Sequence, residues 1–329
     1  MNRLSRHPAT GRAHPAVLVL LTAAAVAAGI AIFWMRAPAL RIVEIPMLEH
    51  DDMPVAIAPA PDGSVWFSID FANAIGHVRG GKIERVTKHG KNVDALGLAV
   101  DAQGNAWYAD APAAAILKVT PAHEVTATSL GTPIARLGRM AAAPDGAVWF
   151  AESTTYSVTR LRDGELKRFE IESERGGPFG VAVAQDGTAW ATLQSANALL
   201  RIGTDGTMET LEIPTRGAGP SDIAVAADGT VWFLEFRTNR IGRYAAGQFS
   251  EVAIPEGIGA LSGLTIAPDG SAWFGAMRGA ALGHVEGGKV TMHKLPRDDA
   301  KPFSVAADAQ GRIWYADIRG YIGRVESGR

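Results

Sequence analysis

The sequence predicts an all-β fold: a seven-bladed β-propeller closed by an N-terminal strand and preceded by one N-terminal transmembrane helix. The main observation behind the propeller is a tryptophan that recurs every 41 or 42 residues. A repeat of about 40–45 residues built of short strands is typical of a propeller with four strands per blade. The recurring tryptophans, one for each predicted blade, are Trp66, Trp107, Trp149, Trp190, Trp232, Trp273 and Trp314.

A tight turn precedes each of these tryptophans. In five repeats an Asp-Gly pair begins four residues before the tryptophan, and Gln-Gly fills the same position in repeats two and seven. Glycine supplies the positive φ that such a hairpin turn requires. We therefore expect turns here rather than metal-binding loops, and we expect each tryptophan to pack between neighbouring sheets. The pairs are Asp62-Gly63, Gln103-Gly104, Asp145-Gly146, Asp186-Gly187, Asp228-Gly229, Asp269-Gly270 and Gln310-Gly311.

Length and composition limit what the chain can be. It has 329 residues and no cysteine, which excludes disulfides, thiolate catalysis and cysteine metal sites. Its 32 basic and 34 acidic residues give a net charge of −2, which offers no electrostatic basis for binding nucleic acid. Because the repeat is unbroken, residues 41–329 are predicted to form a single propeller domain.

An uncharged segment precedes the propeller. Residues 15–35 carry no charged side chain and would span about 30 Å as a helix, enough to cross a bilayer. Three arginines come before this segment, so the positive-inside rule places residues 1–14 in the cytoplasm and the propeller outside it. This pattern predicts a transmembrane signal-anchor at 15–35 and a tether at 36–40.

A second interpretation of this segment remains open. Ala37-Pro38-Ala39 resembles the small-residue site at which a signal peptide is cleaved, and cleavage near Ala39 would release a secreted propeller. The apolar run is longer than the roughly 7–15 residues of a signal peptide, which favours the anchor. The sequence therefore predicts a propeller held at the membrane, in the periplasm or outside the cell, with secretion as the alternative.

The fourth repeat shows the strand pattern of one blade. A short apolar inner strand is predicted at 181–184, the tryptophan-bearing second strand at 188–193, the third at 198–202 and the outer strand at 208–213. The last repeat offers only three such strands. Residues 41–46, RIVEIP, resemble the outer strands of other repeats, so we expect them to pair as the outer strand of the seventh blade.

One repeat carries a longer signature. The fifth repeat contains Gly219-Pro220, Asp228-Gly229, Trp232-Phe233, Glu235, Asn239 and Ile241-Gly242-Arg243. This pattern resembles the virginiamycin B lyase (streptogramin lyase) family of seven-bladed propellers, and the resemblance covers all seven repeats from about residue 41. It implies a C–O lyase that linearises cyclic streptogramin B antibiotics by elimination at an ester bond, with a magnesium ion.

The catalytic residues that the resemblance implies do not carry over at most positions. A histidine before the inner strand of the sixth blade falls on Ser262, and a Glu-Pro-His element in the seventh falls on Lys301-Pro302-Phe303. An acidic residue after the last tryptophan falls at or beside Asp317. Serine and phenylalanine cannot shuttle protons as imidazoles do, and lysine cannot ligate magnesium as a carboxylate does. The resemblance thus predicts the family fold without its catalytic histidines.

Polar residues on one face give a different candidate site. Inner strands begin and second strands end on the same face of the disc, and the resemblance implies that ligands bind there. Three residues after the tryptophan, four blades carry an acid; just before the inner strand, one arginine and one aspartate are the only charges. The predicted ligand-binding residues are Arg139, Asp222, Asp110, Glu152, Glu235 and Asp317.

Two interpretations of this face remain open. It could hold a small-molecule or protein ligand, with Mg²⁺ or Ca²⁺ as a candidate cofactor, and Asn197 and Asn239 could add to a central ion site like that of gluconolactonase-type propellers. Alternatively the acids bond loop amides at a solvated rim, and the asparagines cap loop turns.

Two functions correspond to these interpretations. One is an anchored, extracytoplasmic lyase with a rearranged site, in which a metal polarises an ester or lactone carbonyl. The other is a non-catalytic module that binds a protein, peptide or glycan. The propeller fold alone decides neither, and the missing imidazoles favour the second.

Overall fold

The described chain forms seven antiparallel sheets of four strands each, which confirms the predicted number of blades. The computed structural model describes residues 40–88, 90, 95–131, 136–171 and 176–326. In these ranges no helix combines the length and apolar character needed to span a bilayer. The predicted cytoplasmic tail, signal-anchor and tether up to residue 39 lie outside the described residues.

Each blade follows the chain from the inner strand outward. Strand β1 covers Arg41–Pro46. Blade 1 contains β2 (Met53–Pro59), β3 (Val65–Asp70), β4 (Ala74–Arg79) and β5 (Lys82–Thr87). Blade 2 contains β6 (Leu98–Val100), β7 (Ala106–Asp110), β8 (Ala115–Val119) and β9 (Val125–Ser129). Blade 3 contains β10 (Leu137–Ala142), β11 (Val148–Glu152), β12 (Ser157–Arg162) and β13 (Glu165–Glu170).

The remaining blades repeat this order. Blade 4 contains β14 (Pro178–Val183), β15 (Ala189–Leu193), β16 (Ala198–Ile202) and β17 (Met208–Glu212). Blade 5 contains β18 (Pro220–Val225), β19 (Val231–Glu235), β20 (Arg240–Ala245) and β21 (Gln248–Ala253). Blade 6 contains β22 (Leu261–Ile266), β23 (Ala272–Ala276), β24 (Ala281–Glu286) and β25 (Lys289–Lys294). Blade 7 contains β26 (Pro302–Ala307), β27 (Ile313–Asp317) and β28 (Tyr321–Glu326), with β1 beside β28.

The register of the seventh blade joins distant parts of the chain. Strand β1 runs antiparallel to β28, with Arg41 opposite Glu326 and Pro46 opposite Tyr321. The inner strand β26 also contacts the inner strand β2 of the first blade. The inner strands therefore form a continuous ring.

In six of the seven blades the recurring tryptophan lies in an apolar cluster with the next blade, as predicted. Trp66 lies in a buried cluster with Tyr108 of blade 2, and Trp314 lies in one with Val65 and Phe67 of blade 1. Equivalent clusters join blades 2 to 3, 3 to 4, 4 to 5 and 6 to 7. Burial of a large indole at the seam contributes much of the hydrophobic stabilisation between sheets.

The Asp-Gly pairs form turns, as predicted. Gly229 has a φ of +82°, and the Asp228 side chain accepts the backbone N–H of Thr230 at 2.9 Å. Blades 2 and 7, which have Gln-Gly instead, use an aspartate two residues earlier. In blade 7, Asp308 accepts the indole N–H of Trp314 at 2.8 Å as well as backbone N–H groups. This bond was not predicted from the sequence.

The inner strands begin earlier than predicted. In blade 4 the inner strand starts at Pro178 rather than at residue 181, because Pro178 pairs with Leu193 ahead of a bulge that ends at Val181. Five other inner strands carry the same irregularity. Arg139 and Asp222 therefore lie inside β10 and β18, at the bulge, and not before the strands as the sequence analysis placed them.

Candidate functional site

The four predicted acids each end a second strand on the predicted face. Glu235, for example, is the last residue of β19 and pairs with Pro220, the first residue of the inner strand. All four side chains are buried, with at most 2% of any residue exposed. Their hydrogen-bond partners therefore decide what each can do. The four are Asp110, Glu152, Glu235 and Asp317.

Asp317 is fully committed to internal bonds. Its Oδ1 accepts the backbone N–H of Lys301 at 2.9 Å and that of Arg319 at 2.8 Å. Its Oδ2 is paired with the guanidinium of Arg297, which also binds Glu44 of β1 through Nε at 3.0 Å. Burial opposes the charge on Arg297, but the two carboxylates outweigh it and raise the pKa of the guanidinium. Arg297, in the loop before blade 7, therefore links Asp317 to Glu44 of β1 through two ion pairs.

Asp110 and Glu152 are also paired with cations. Lys88, which follows β5 of blade 1, donates from Nζ to Asp110 at 2.7 Å, and both side chains are nearly inaccessible. Glu152 accepts hydrogen bonds from Thr159 and, at 3.3 Å, from Arg168 of β13. The cation that compensates the charge comes from the same blade for Glu152 and from the preceding blade for Asp110. Both carboxylates therefore have a structural role.

Glu235 differs from the other three acids. Its Oε2 accepts a hydrogen bond from Thr238 at 2.7 Å, no donor among the described residues reaches Oε1, and the protonated carboxyl group bonds the carboxylate of Glu251. The nearby Arg240 is paired instead with Glu251, at 2.6 Å. Burial, reinforced by the negative charge of Glu251 and opposed by the Thr238 hydrogen bond, raises the pKa of Glu235 to about 7. A carboxyl group of this kind can give or take a proton near neutral pH.

This raised pKa makes a prediction about stability. The ordinary pKa is 4.5, so between about pH 4.5 and pH 7 the unfolded chain has lost a proton that the folded chain keeps. The stability associated with the protonated carboxyl is full below pH 4.5 and is lost as pH rises through about 7. Glu235→Gln, which stays neutral, should raise the free energy of unfolding at pH 8 by about 1 kcal/mol after allowance for solvent screening, with a smaller effect at pH 4.5.

Urea denaturation at the two pH values measures this difference. Glu152→Gln is the matched control, because that acid has the same position in blade 3 but keeps a basic partner. The control should destabilise the protein at pH 8. Equal pH dependence in the wild type and in Glu235→Gln would contradict the prediction.

Arg139 and Asp222 meet across the axis of the ring. Nε of Arg139 donates to Oδ1 of Asp222 at 2.7 Å, and the backbone N–H of Gly263 donates to Oδ2 at 2.8 Å. The guanidinium also lies 5.5 Å from the ring centre of Phe303. These contacts link blades 3, 5, 6 and 7 around an axial channel of about 120 Å³. The structure thus joins two of the six predicted residues as one ion pair.

The groups present at the positions to which the resemblance assigned catalytic roles do not fit a magnesium ion. Ser262 donates its hydroxyl proton to the carbonyl of Pro302 at 2.8 Å, and Lys301 donates from Nζ to the carbonyl of Met277 at 2.9 Å. Both oxygens of Asp317 are taken up as described above. Magnesium prefers carboxylate and water oxygens, so a lysine and a neutralised aspartate offer it no ligand set.

Asn197 and Asn239 cap loop turns, which was one of the two interpretations. Both have a left-handed backbone, with φ of +56° and +55°. Nδ2 of Asn197 donates to the carbonyls of Ile213 and Thr215 at 3.1 and 2.9 Å, and Nδ2 of Asn239 donates to Ile258 at 2.9 Å. Their amides therefore fix the loops that lead out of blades 4 and 5.

Sequence reasoning missed features on the opposite face, where the Asp-Gly turns lie. A cleft of about 650 Å³ runs between blades 5 and 6 past Trp232 and Arg243. Within the described ranges, one trio of His, Cys, Asp or Glu side chains brings its ligand atoms within 4.8 Å of one another: His77, Glu84 and His123. The sequence feature that could have indicated this trio is His123, which occupies a turn position where five other blades have glycine.

Comparison with solved structures supports the fold. The chain is similar to a streptogramin B lyase structure, with a TM-score of 0.83 and 24% identity over 89% of this chain and 98% of the other. It is also similar to a catalytically inactive histidine-to-alanine variant of Staphylococcus aureus virginiamycin B lyase with quinupristin, with a TM-score of 0.81 and 24% identity over 87% and 98% of the two chains. At these identities the likeness shows the fold alone.

Sequence comparison gives the family. A virginiamycin B lyase of Nocardia farcinica (strain IFM 10152) is 30% identical over 161 residues, which is 48% of this chain and 54% of the relative. The match thus spans about half the length of that relative. The model of the virginiamycin B lyase family matches residues 37–198 and 139–328, which together cover the whole propeller. The chain therefore belongs to the virginiamycin B lyase family.

Proposed function

We propose that the protein is a membrane-anchored, extracytoplasmic propeller that binds a ligand and does not linearise streptogramins. The main support for the proposal is the bonding of the groups at the positions to which the family resemblance assigned catalytic roles. Ser262 and Lys301 donate to backbone carbonyls, and Asp317 is neutralised by Arg297. Elimination at an ester needs a free base and an acid at the reacting bond, and these bonded groups supply neither.

Quinupristin is the probe that tests this proposal. The full-length chain with Mg²⁺ should give no linear product above the uncatalysed rate, as measured by mass spectrometry. Virginiamycin B lyase from Staphylococcus aureus, assayed alongside, serves as the positive control. Linearisation by this chain at a rate comparable to the control would reject the proposal, because the groups described above would then have to act as catalysts.

Ligand binding on the polar face is the second part of the proposal. The four acids end second strands on the face where the inner strands begin, and the ion pair of Arg139 and Asp222 lines the axial channel. A propeller of related fold, with a TM-score of 0.69 and 13% identity over 88% of this chain and 99% of the other, is described as YCF48 bound to D1 peptide. We take peptides or proteins as the ligand class to test first. Selection of a surface-displayed random peptide library against the wild type, Glu235→Ala and Arg139→Ala measures this binding. Equal enrichment on all three proteins would place the binding site elsewhere.

A metal-dependent enzyme is the alternative function, and Glu235 favours it. Its raised pKa and its hydrogen bond to Glu251 suit a group that exchanges a proton, and Mg²⁺ or Ca²⁺ would act as a Lewis acid beside this pair of carboxyl groups. Calorimetric titration with MgCl₂ and with CaCl₂ separates the two functions. Heat of binding that disappears in Glu235→Ala and in Glu152→Ala would support the enzyme; the absence of any heat would remove it.

The anchor belongs to the proposal as well. It rests on the uncharged run at 15–35 and on the arginines before it. Cell fractionation followed by carbonate extraction tests it. Recovery of the chain in the soluble extracytoplasmic fraction, with a new N-terminus near Ala39, would replace anchoring by secretion.

A further inference from the structure

Two histidines and a glutamate meet at the seam between blades 1 and 2. His77 lies in β4 and Glu84 in β5, both of blade 1, while His123 lies in the hairpin between β8 and β9 of blade 2. Nδ1 of His77 is 3.3 Å from Nε2 of His123, and that nitrogen is 3.6 Å from Oε2 of Glu84. The trio is separate from the polar face described above and from every residue assigned to it.

These separations match the edges of a coordination tetrahedron. With zinc-to-ligand bonds of about 2.0–2.1 Å, two ligand atoms of a tetrahedral zinc site lie about 3.3 Å apart. The two separations of 3.3 and 3.6 Å need little adjustment to reach that value. His77 is fully buried, whereas the side chains of His123 and Glu84 are 31% and 41% exposed, so a fourth position faces solvent.

A hydrogen-bond relay prepares His77 to act as a ligand. The Ser64 hydroxyl donates to Asp62 at 2.6 Å, so its oxygen accepts the proton on Nε2 of His77 at 2.8 Å. This arrangement leaves the lone pair of Nδ1 directed at His123. Ligating histidines are oriented in this way by carboxylates and other acceptors around metal sites.

The backbone of His123 is a second, independent observation. Its φ is +67°, in the left-handed region that costs a non-glycine residue about 1–2 kcal/mol. Every other hairpin between a third and an outer strand in the described chain has glycine with positive φ there: Gly81, Gly164, Gly206, Gly247 and Gly288. Strain retained at one member of a repeated set indicates a specific task for the side chain.

The position of His77 departs from the repeat in the same way. It lies opposite Trp66, and the ring planes stack with centroids 3.8 Å apart. The residue opposite the tryptophan is a lysine or arginine in five other blades: Lys118, Arg160, Arg201, Arg243 and Arg324. Blade 6 has His284, which bonds His293 at 3.0 Å within its own blade and does not belong to a three-ligand group among the described residues.

We propose that His77, His123 and Glu84 bind a zinc ion that bridges blades 1 and 2. Two imidazole nitrogens select a late first-row divalent ion over Mg²⁺ or Ca²⁺, which prefer oxygen ligands. The open fourth position takes a water molecule. Bound zinc adds a link between two sheets that also meet through apolar packing and the Lys88–Asp110 ion pair, so the stability of the folded propeller rises with the logarithm of the zinc concentration.

Titration of the full-length, EDTA-treated chain with ZnCl₂ in a calorimeter tests this site. We expect one tight site, and binding of MgCl₂ at least about 100-fold weaker. His123→Gly should weaken zinc binding by at least about 100-fold while giving the turn the residue found in five other blades, so folding is preserved. Glu84→Gln should also weaken binding, and Ser64→Ala should do so by about 10-fold through the orientation of His77.

His284→Arg is the matched control, since it changes the other histidine that faces a tryptophan and should leave zinc affinity unchanged. The melting temperature of the wild type should rise with ZnCl₂, and that of His123→Gly should not. Zinc affinity that is equal in the wild type and in His123→Gly, or that is lost in His284→Arg instead, overturns the proposal. So does the absence of a tight site in the wild type.

Discussion

Replacing Arg297 by methionine is expected to lower the free energy of unfolding by about 3–5 kcal/mol. Methionine retains the bulk of the arginine stem but removes the cation between two buried carboxylates. Asp317 is inaccessible, and among the described residues Glu44 would keep a single side-chain partner, Tyr315, which donates to it at 2.8 Å. The guanidinium also lies 3.7 Å from the ring centre of Tyr321, and that contact would be lost as well.

The effect of Arg297→Met can be separated from a general effect of losing an arginine. Arg201 pairs with Glu209 on the surface, where the side chains are 48% and 53% exposed. Arg201→Met should therefore change stability by less than about 0.5 kcal/mol. Urea denaturation with unchanged m-values measures both variants. Adding Asp317→Asn to Arg297→Met should recover part of the loss; similar small effects for the two arginine variants would show that the network around Arg297 carries little energy.

Alanine at position 242 is expected to destabilise the propeller by about 3 kcal/mol, the upper part of the range for overpacked cores. Gly242 lies opposite Phe233 across two strands of blade 5, and the ring covers the glycine. An added Cβ would lie well within 3.0 Å of three ring atoms. The ring cannot move away easily, because Phe233 is fully buried and its edge contacts Phe249 at 6.1 Å between centroids.

Gly177→Ala is the control for the Gly242 variant. A Cβ at that position would meet its nearest neighbour, a backbone oxygen of Ser153, at an ordinary 3.5 Å. Thermal denaturation should show a change close to zero for Gly177→Ala and a large fall in melting temperature for Gly242→Ala. Because the clash is with a ring, Phe233→Leu combined with Gly242→Ala should cost less than the two single changes added together. Strict additivity would contradict the proposed contact.

The sequence predicted the fold because its signals are local and repeated. In six blades the tryptophan packs on the next sheet, and each Asp-Gly pair makes one turn, so repeated local signals reinforce a single interpretation. Ile-Gly pairs recur in the third strands, at Ile75-Gly76, Ile241-Gly242 and Ile322-Gly323, and the sequence alone offers no reason for the glycine. The structure supplies one: a glycine accommodates the aromatic ring of the facing second strand, as Gly323 does for Tyr315.

The candidate site was harder to predict because its partners are distant along the chain. The sequence predicted the positions of the four acids at strand ends, but Lys88 and Arg297 reach theirs from the connection out of the preceding blade. Arg139 and Asp222 are separated by 83 positions, and only the convergence of inner strands brings them together. The predicted start of the inner strand of blade 4 was also wrong. The strand begins before a bulge, and the apolar pattern indicates only the part after it.

The packing of a tryptophan from one blade against the next blade affects how the protein unfolds. Open arrays of repeats can fray from a terminal unit, which has a neighbour on one side only. In this ring the clusters that include Trp66 and Trp314 leave blade 1 with an apolar partner on both sides. Detaching any one blade would expose two apolar faces at once. Amide hydrogens in the inner strands should therefore exchange together, in one cooperative opening, rather than blade by blade.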